Sequence, residues 1–371
     1  MKAVAVFPTE RQIRVTDHPE PKLASPKQVM ARVLDVGVCG TDKEIARFDY
    51  GTPPDGWDHL VIGHESLSEV VDIGSEVSRV KKGDLIVLTV RRPCPEMCPA
   101  CRAGRQDFCY TGDFTERGIK QQHGYMTELV AEDEQYAWPV PRELRDVAVL
   151  TEPLTIAEKA IEQLWQIQQR LPWACPSGPG QKTNGSCHHA LVLGAGPVGL
   201  LGAMALRVYG FEVSVYSRIT PGDPGDQVVR AIGANFIDAG KVAVEDMAKQ
   251  MGTIDVVYEA TGASGLAFEV IAQLGNNAVF IFTGVPGQGG PIPVPTDLIM
   301  RDMVLKNQLI YGTVNASPTA FESAIRNLSV FTQRWPGALK TIITKRYPLE
   351  QAPELLTGKV EAIKNVVAIA S

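Results

Sequence analysis

The stretch that most restricts the fold of this chain runs from Ala190-Leu191-Val192-Leu193 into Gly194-Ala195-Gly196-Pro197-Val198-Gly199. An apolar strand enters a glycine turn, and Leu200, Leu201, Met204, Ala205, Leu206 and Val208 then recur at helical spacing. Residues 212–216 supply a second strand and complete a βαβ unit. A bare G-x-G-x-x-G says little, but between a strand and a helix it is specific. Gly194 allows the tight turn and Gly196 lets the backbone approach a pyrophosphate. Gly199 permits close helix packing, and the helix N-terminus favours the negative charge. The second half is therefore expected to be an α/β, doubly wound parallel sheet that binds a dinucleotide. Residues 256–258 and 279–282 are further strands, with 309–312 at an edge. Ser217-Arg218 stands where an NAD site usually has Asp or Glu on the ribose 2′-hydroxyl. A guanidinium there suits a 2′-phosphate, so NADP is preferred. Asp223 and Asp226 follow closely and keep NAD open, and a solvated loop position is the plain alternative for Arg218.

The first half is β-rich. Apolar segments at 29–36, 67–73, 85–90 and 125–130 alternate with turns, and Met1-Lys2-Ala3-Val4 begins a first strand. A helix is expected over 154–171, ended by Pro172, and 176–186 reads as an exposed loop. At 371 residues two domains are expected. A net charge of −6 argues against nucleic acid, and no apolar run approaches a membrane span.

Two cysteine constellations carry metal chemistry. Cys39 and Thr41, with His64-Glu65 some twenty residues on, offer a thiolate and an imidazole with few neighbouring ligands. A zinc held this way keeps a position open for substrate, and Thr41 stands where a hydroxyl can pass a proton. Cys94, Cys98, Cys101 and Cys109 form Cys-x3-Cys-x2-Cys-x7-Cys, laced with Pro95, Pro99 and Gly104, as a loop around a closed structural zinc would be. Disulfides and an iron–sulfur cluster are the alternatives for the four. With no signal-peptide pattern at the start, a reducing, cytoplasmic compartment is expected. Cys175 and Cys187 are expected to be free thiols.

Taken with these motifs, the chain resembles the zinc-containing medium-chain alcohol dehydrogenase superfamily over nearly its whole length. Within it, the chain is most similar to the glucose 1-dehydrogenase family. The closer likeness is carried by Cys39-Gly40-Thr41-Asp42-Lys43-Glu44-Ile45, Thr89-Val90-Arg91-Arg92-Pro93, Glu116-Arg117-Gly118-Ile119 and His123-Gly124-Tyr125-Met126. Glu152-Pro153-Leu154, Glu158-Lys159-Ala160, Tyr258-Glu259-Ala260-Thr261-Gly262, Gly284-Val285-Pro286 and Val314-Asn315 extend it.

The resemblance implies a GroES-like β-rich catalytic domain over 1–188 with the structural zinc lobe at 91–112. It implies a Rossmann coenzyme domain over 189–313, and a return to the catalytic domain over 314–371. Cys39, His64, Glu65 and Glu152 match the catalytic zinc centre, and Cys94, Cys98, Cys101 and Cys109 the structural zinc. Thr41 matches the hydroxyl on the reacting oxygen. Thr89, Glu116, Glu152 and Asn315 fall at substrate positions. Thr89 replaces an Asn of some relatives, and Ile156 stands where some have a carboxylate. Gly194, Gly196, Pro197, Val198, Gly199, Ser217, Arg218, Ala260, Thr261, Gly262, Gly284, Val285 and Asn315 match cofactor positions. The implied activity is zinc-dependent oxidation of glucose or a close aldose at C1, with hydride passing to NADP or NAD. Glu44 or water could carry the proton beyond Thr41, though a solvated helix-face charge is the plainer reading of Glu44. A homodimer or homotetramer is implied, with a small-molecule sugar as substrate. Two alternatives stand beside this: a polyol, threonine or simple alcohol dehydrogenase, and a zinc protein that binds nucleotide without turnover.

Overall fold

The computed structural model describes residues 1–171, 185–287, 289–359 and 362–370. Pro172, Cys175 and most of the expected loop lie outside the described residues. The chain divides into two compact units: Met1–Thr155, Asn315–Ser329 and Ile343–Ser371 form the first, and Ile156–Val314 with Val330–Ile342 the second.

The first unit is built on a seven-stranded sheet. Its path runs Ala137–Val140, Leu85–Leu88, Glu65–Ile73, Gln28–Gly37, Lys364–Ala368 and Ile343–Pro348, with Leu129–Asp133 also paired to Gln28–Gly37. Alternate residues of these strands point inward, so Val29, Ala31, Val33, Ile86, Leu88 and Val367 share one core with Val4, Val6, Leu60 and Ile62. The strand expected at 125–130 begins only at Leu129. Before it, the amides of Tyr125 and Met126 donate to the Gly63 and Ile62 carbonyls, which takes that apolar run into a crossing segment rather than the ladder. Strands Arg91–Arg92, Thr115–Arg117 and Gln121–Gln122 make a small separate sheet, and the four cysteines lie in the connection between the first two.

The second unit is a six-stranded parallel sheet in the order Asn235–Asp238, Glu212–Ser217, His189–Leu193, Val256–Glu259, Val279–Phe282, Leu309–Gly312. The order reverses beside His189–Leu193, the switch point at which such sheets take ligands. Helix Pro197–Val208 follows directly. A Cβ on Gly199 would lie 2.2 Å from the Gly194 carbonyl oxygen, so only glycine lets this helix close on the turn. Helix Thr151–Gln168 starts three residues earlier than expected, because Pro153 is tolerated in a first turn whose amides need no helical partner. Cys187 is disulfide-bonded, which corrects the free thiol expected there. Among the described residues, no helix is long and apolar enough to cross a membrane.

Candidate active site

Cys39 caps helix Gly40–Ala46, which follows strand Gln28–Gly37. Asp42, in the first turn of this helix, is fully buried. Its Oδ2 accepts the Cys39 amide at 2.8 Å, and its Oδ1 lies 3.3 Å from His64 Nδ1. Neither of those two facing atoms has a hydrogen-bond partner elsewhere among the described residues. Burial pulls the His64 pKa down, but the Asp42 carboxylate and the Cys39 sulfur outweigh it and hold the ring well above its ordinary value. The surroundings of His64 thus favour positive charge, which a divalent cation also supplies. Cys39 Sγ, a His64 ring nitrogen and a Glu65 oxygen lie within 4.8 Å of one another, a sulfur, nitrogen and oxygen set that suits zinc.

Glu65 is nearly inaccessible, and both its oxygens accept from Lys364 Nζ, at 2.7 and 2.6 Å. Lys364 also donates to the Val38 carbonyl at 3.1 Å, so the strand near the C-terminus braces the segment that carries Cys39. A Cβ on Gly37 would fall 2.0 Å from Glu65 Oε2, so glycine is what admits the carboxylate. Glu152, half-buried at the start of helix Thr151–Gln168, is pushed up to about 7 by burial and by the Glu65 charge, against the pull of His64 and Lys364. Thr41 is half-buried in the first turn after Cys39. Asp42 and Lys364 were missed in the sequence. Asp42 sits three residues after the helix cap, a capping position that offered a signal; Lys364 is 299 residues from Glu65 and offered none.

A second polar group lies in the same unit. Glu116 Oε1 accepts from Arg91 Nε at 3.0 Å and from Asn315 Nδ2 at 3.1 Å. Asn315 takes a left-handed backbone, φ 61°, and its Oδ1 accepts the Ala316 amide. Thr89 is buried. Its hydroxyl oxygen accepts the Trp138 indole N–H at 2.9 Å, which leaves the hydroxyl proton for any other partner.

The four lobe cysteines bring their sulfurs within 4.8 Å of one another and are free thiols. The Cys98 and Cys109 sulfurs are 3.9 Å apart, near the ~3.8 Å of two thiolates on a tetrahedral zinc with bonds of about 2.3 Å. The amides of Cys101 and Tyr110 draw Cys98 down to about 6, while burial pushes Cys101 up to about 12. Within the first gap, between Cys94 and Cys98, Met97 turns left-handed with φ 49°. A third cluster, His18, His59 and His123, packs around Trp57. There the Val61 amide donates to His123 Nδ1 at 3.1 Å, which leaves that ring's proton on Nε2. His59 Nδ1 faces Asp58 at 2.7 Å, and its Nε2 lies 3.4 Å from His18 Nδ1. Two free lone pairs at most make this an aromatic pile rather than a metal centre.

In the second unit, a cavity of about 1100 Å³ is lined by Gly194, Ser217, Arg218, Lys241 and Thr261 among others. Arg218 is exposed and makes no ion pair among the described residues. Asp223 and Asp226 accept the Thr220 and Gly222 amides at 2.8 and 2.7 Å, and neither lines the cavity. Glu259, also missed in the sequence, accepts the Thr261 and Gly262 amides at 2.6 and 2.8 Å and so shapes the loop after its strand.

Comparison with known proteins follows this geometry. Residues 25–142 match the model of the alcohol dehydrogenase GroES-like domain, and 145–369 that of the glucose dehydrogenase C-terminus. A glucose 1-dehydrogenase of Methanocella arvoryzae is 40% identical over 370 residues, covering 100% of this chain and 99% of the relative. One of Thermoproteus tenax is 39% identical over 371 residues, with the same coverage. Among solved structures, Haloferax mediterranei glucose dehydrogenase in complex with NADP, Zn and gluconolactone superposes with a TM-score of 0.88 at 30% identity, covering 100% of both chains. The chain belongs to the glucose 1-dehydrogenase family of the zinc-containing medium-chain alcohol dehydrogenases.

Proposed function

We propose that this protein oxidises D-glucose or a close aldose at C1 to the lactone and passes the hydride to NADP, with NAD as a weaker acceptor. The observation that carries the reading is the pairing of a sulfur–nitrogen–oxygen centre at Cys39, His64 and Glu65 with the polar Glu116–Asn315 pair in one unit. Relatives of the same family, one of them solved with NADP, Zn and gluconolactone, support it. Cys39, His64, Glu65 and Glu152 would hold zinc, which when bound supplies a Lewis acid at the C1 oxygen, while NADP accepts the hydride. Asp42 and Lys364 fix His64 and Glu65 from behind. Thr41 takes the C1 hydroxyl proton and passes it toward solvent. Glu116 and Asn315 hold sugar hydroxyls and orient C1. Large apolar groups in their place would suit a simple alcohol. In the other unit, Gly194, Gly196, Pro197, Val198 and Gly199 cradle the pyrophosphate, with Ala260, Thr261, Gly262, Gly284 and Val285 beside the cofactor. Ser217 and Arg218 bind the 2′-phosphate, and the Asp223 and Asp226 carboxylates are turned to the Thr220 and Gly222 amides rather than lining the cavity.

The functional domains are read as 1–188 with 314–371 for catalysis and 189–313 for the coenzyme. The four-cysteine lobe holds a second, structural zinc. The protein works as a homodimer or homotetramer. Among the described residues, strand Leu309–Gly312 pairs on one side only, and the preceding helix Thr296–Leu305 buries no residue while Met300, Val304 and Leu305 are 64–71% exposed. An open edge beside an apolar face is the surface a second copy would cover, and Val304→Glu should then yield monomer in light scattering. The free lobe thiols fit a reducing compartment such as the cytoplasm, with the disulfide at Cys187 as an exception. Turnover over a panel of aldoses, polyols and alcohols with both cofactors tests the activity. Aldoses with NADP should lead, and a clear preference for simple alcohols would overturn the reading.

A further inference from the structure

Arg91 lies directly opposite Glu116 on adjacent antiparallel strands, and the lobe is the connection between those strands. Both side chains are buried. The guanidinium is held on three sides. Nε donates to Glu116 Oε1 at 3.0 Å, Nη1 donates to the Asp107 carbonyl at 3.3 Å, and Cζ lies 3.6 Å from the centroid of the Phe114 ring. The Asp107 carboxylate is itself clamped by Arg105 at 3.0 and 2.9 Å, which steadies the carbonyl that Arg91 reads. Lys120 donates to the Gly112 carbonyl at 2.6 Å and lies over the same Phe114 ring, 4.5 Å from its centroid. Glu116 Oε1 is therefore saturated by Arg91 and Asn315, and Oε2 accepts no hydrogen bond among the described residues.

We propose that Arg91 is a positioning residue that ties Glu116 to the backbone of the four-cysteine lobe and aims Oε2 at one sugar hydroxyl. The proposal rests on Glu116 being a sugar contact. A carboxylate oxygen can only accept, so the group it selects is a hydroxyl donor at a fixed place on the ring. Arg91 fits this task where lysine does not. Its planar fork reaches a side chain and a main-chain carbonyl at once while stacking on an aromatic face. The lobe thereby acquires a part in substrate recognition besides stability.

The test uses full-length holoenzyme and steady-state kinetics of Arg91→Gln, Arg91→Lys and Glu116→Gln with glucose and the set of monodeoxyglucoses. Glu116→Gln identifies the deoxy position at which the penalty of the missing hydroxyl vanishes. Arg91→Gln should raise the glucose KM by about tenfold to a hundredfold, the span of one charge-assisted hydrogen bond. It should leave the NADP KM and kcat within about threefold, and shrink the penalty at that same deoxy position alone. Arg91→Lys keeps the charge and should recover part of the loss. If Arg91→Gln leaves the glucose KM unchanged, flattens every deoxy penalty alike or raises the NADP KM in step, the proposal is wrong. Should Arg91→Gln fail to fold, Arg91→Lys decides alone: a selective loss at the Glu116 position supports the role, and a wild-type profile removes it. A wild type that oxidises no aldose would instead remove the reading beneath the proposal.

Discussion

Replacing Asp42 by Asn keeps the shape of a fully buried side chain and removes its charge. The Cys39 amide can still donate to the side-chain oxygen, so the helix cap should survive. What changes is the group 3.3 Å from His64 Nδ1. An amide N–H there meets an imidazole N–H, and the ring loses the acceptor that sets its tautomer. Full opposite charges at that distance attract by about 5 kcal/mol at an effective dielectric constant of about 20. A metal-bound imidazole carries only part of a charge, so a loss of about 1.4–2.7 kcal/mol is expected, about tenfold to a hundredfold in metal affinity. Competition with a colorimetric zinc chelator measures it. Zinc of the four-thiolate lobe serves as internal control, because Asp42 does not touch those cysteines. An Asp42→Asn protein that holds zinc at the Cys39–His64 centre as tightly as wild type, or that weakens both zinc ions together, would contradict this prediction.

Metal analysis of carefully prepared protein should find two zinc ions per chain. The one at the open Cys39–His64 centre should exchange faster, and its removal should abolish turnover while the fold, read by circular dichroism, persists. Arg218→Ala should weaken NADP binding by roughly tenfold to a hundredfold, as loss of a charge-assisted bond to phosphate predicts, and barely change NAD binding in equilibrium titrations. Burial, with His18, His59 and Arg117 nearby, lowers the His123 pKa to about 3. The folded value lies below the unfolded value of about 6.5. The stability this provides is present above about pH 6.5 and is lost as pH falls toward 3. The loss at about pH 5 is about 2 kcal/mol before, and about 1 kcal/mol after, discounting for the ring's contact with solvent. His123→Gln should therefore flatten the fall of Tm between about pH 7 and about pH 5, and an unchanged slope would place the sensitivity elsewhere.

The features of this protein that its sequence makes legible are those whose physics is local. The run from Leu193 through Gly199 announces strand, turn and helix because each glycine answers a short-range steric demand. Cys94 to Cys109 announces a closed ligand set because four sulfurs within one loop have few other uses. The apolar run at 125–130 predicts a strand, yet its residues serve a crossing against Ile62 and Gly63, some sixty residues away. Lys364 was invisible for the same reason: a lone lysine near the end of a chain carries no sign that it will pair with Glu65. Arg91 enters the sequence reading only as a member of the motif Thr89-Val90-Arg91-Arg92-Pro93. Only the strand register sets it against Glu116 while Arg92 turns to Glu132.

Following the transferred hydrogen tests the proposed glucose oxidation directly. Glucose deuterated at C1 is supplied with NADP to the zinc-loaded protein, and the reduced nicotinamide and the sugar product are examined by mass spectrometry. The account predicts deuterium on the nicotinamide, lactone formed in equal amount, and loss of both in His64→Ala although NADP still binds. Deuterium retained on the sugar, or transfer that persists undiminished in His64→Ala, would contradict it.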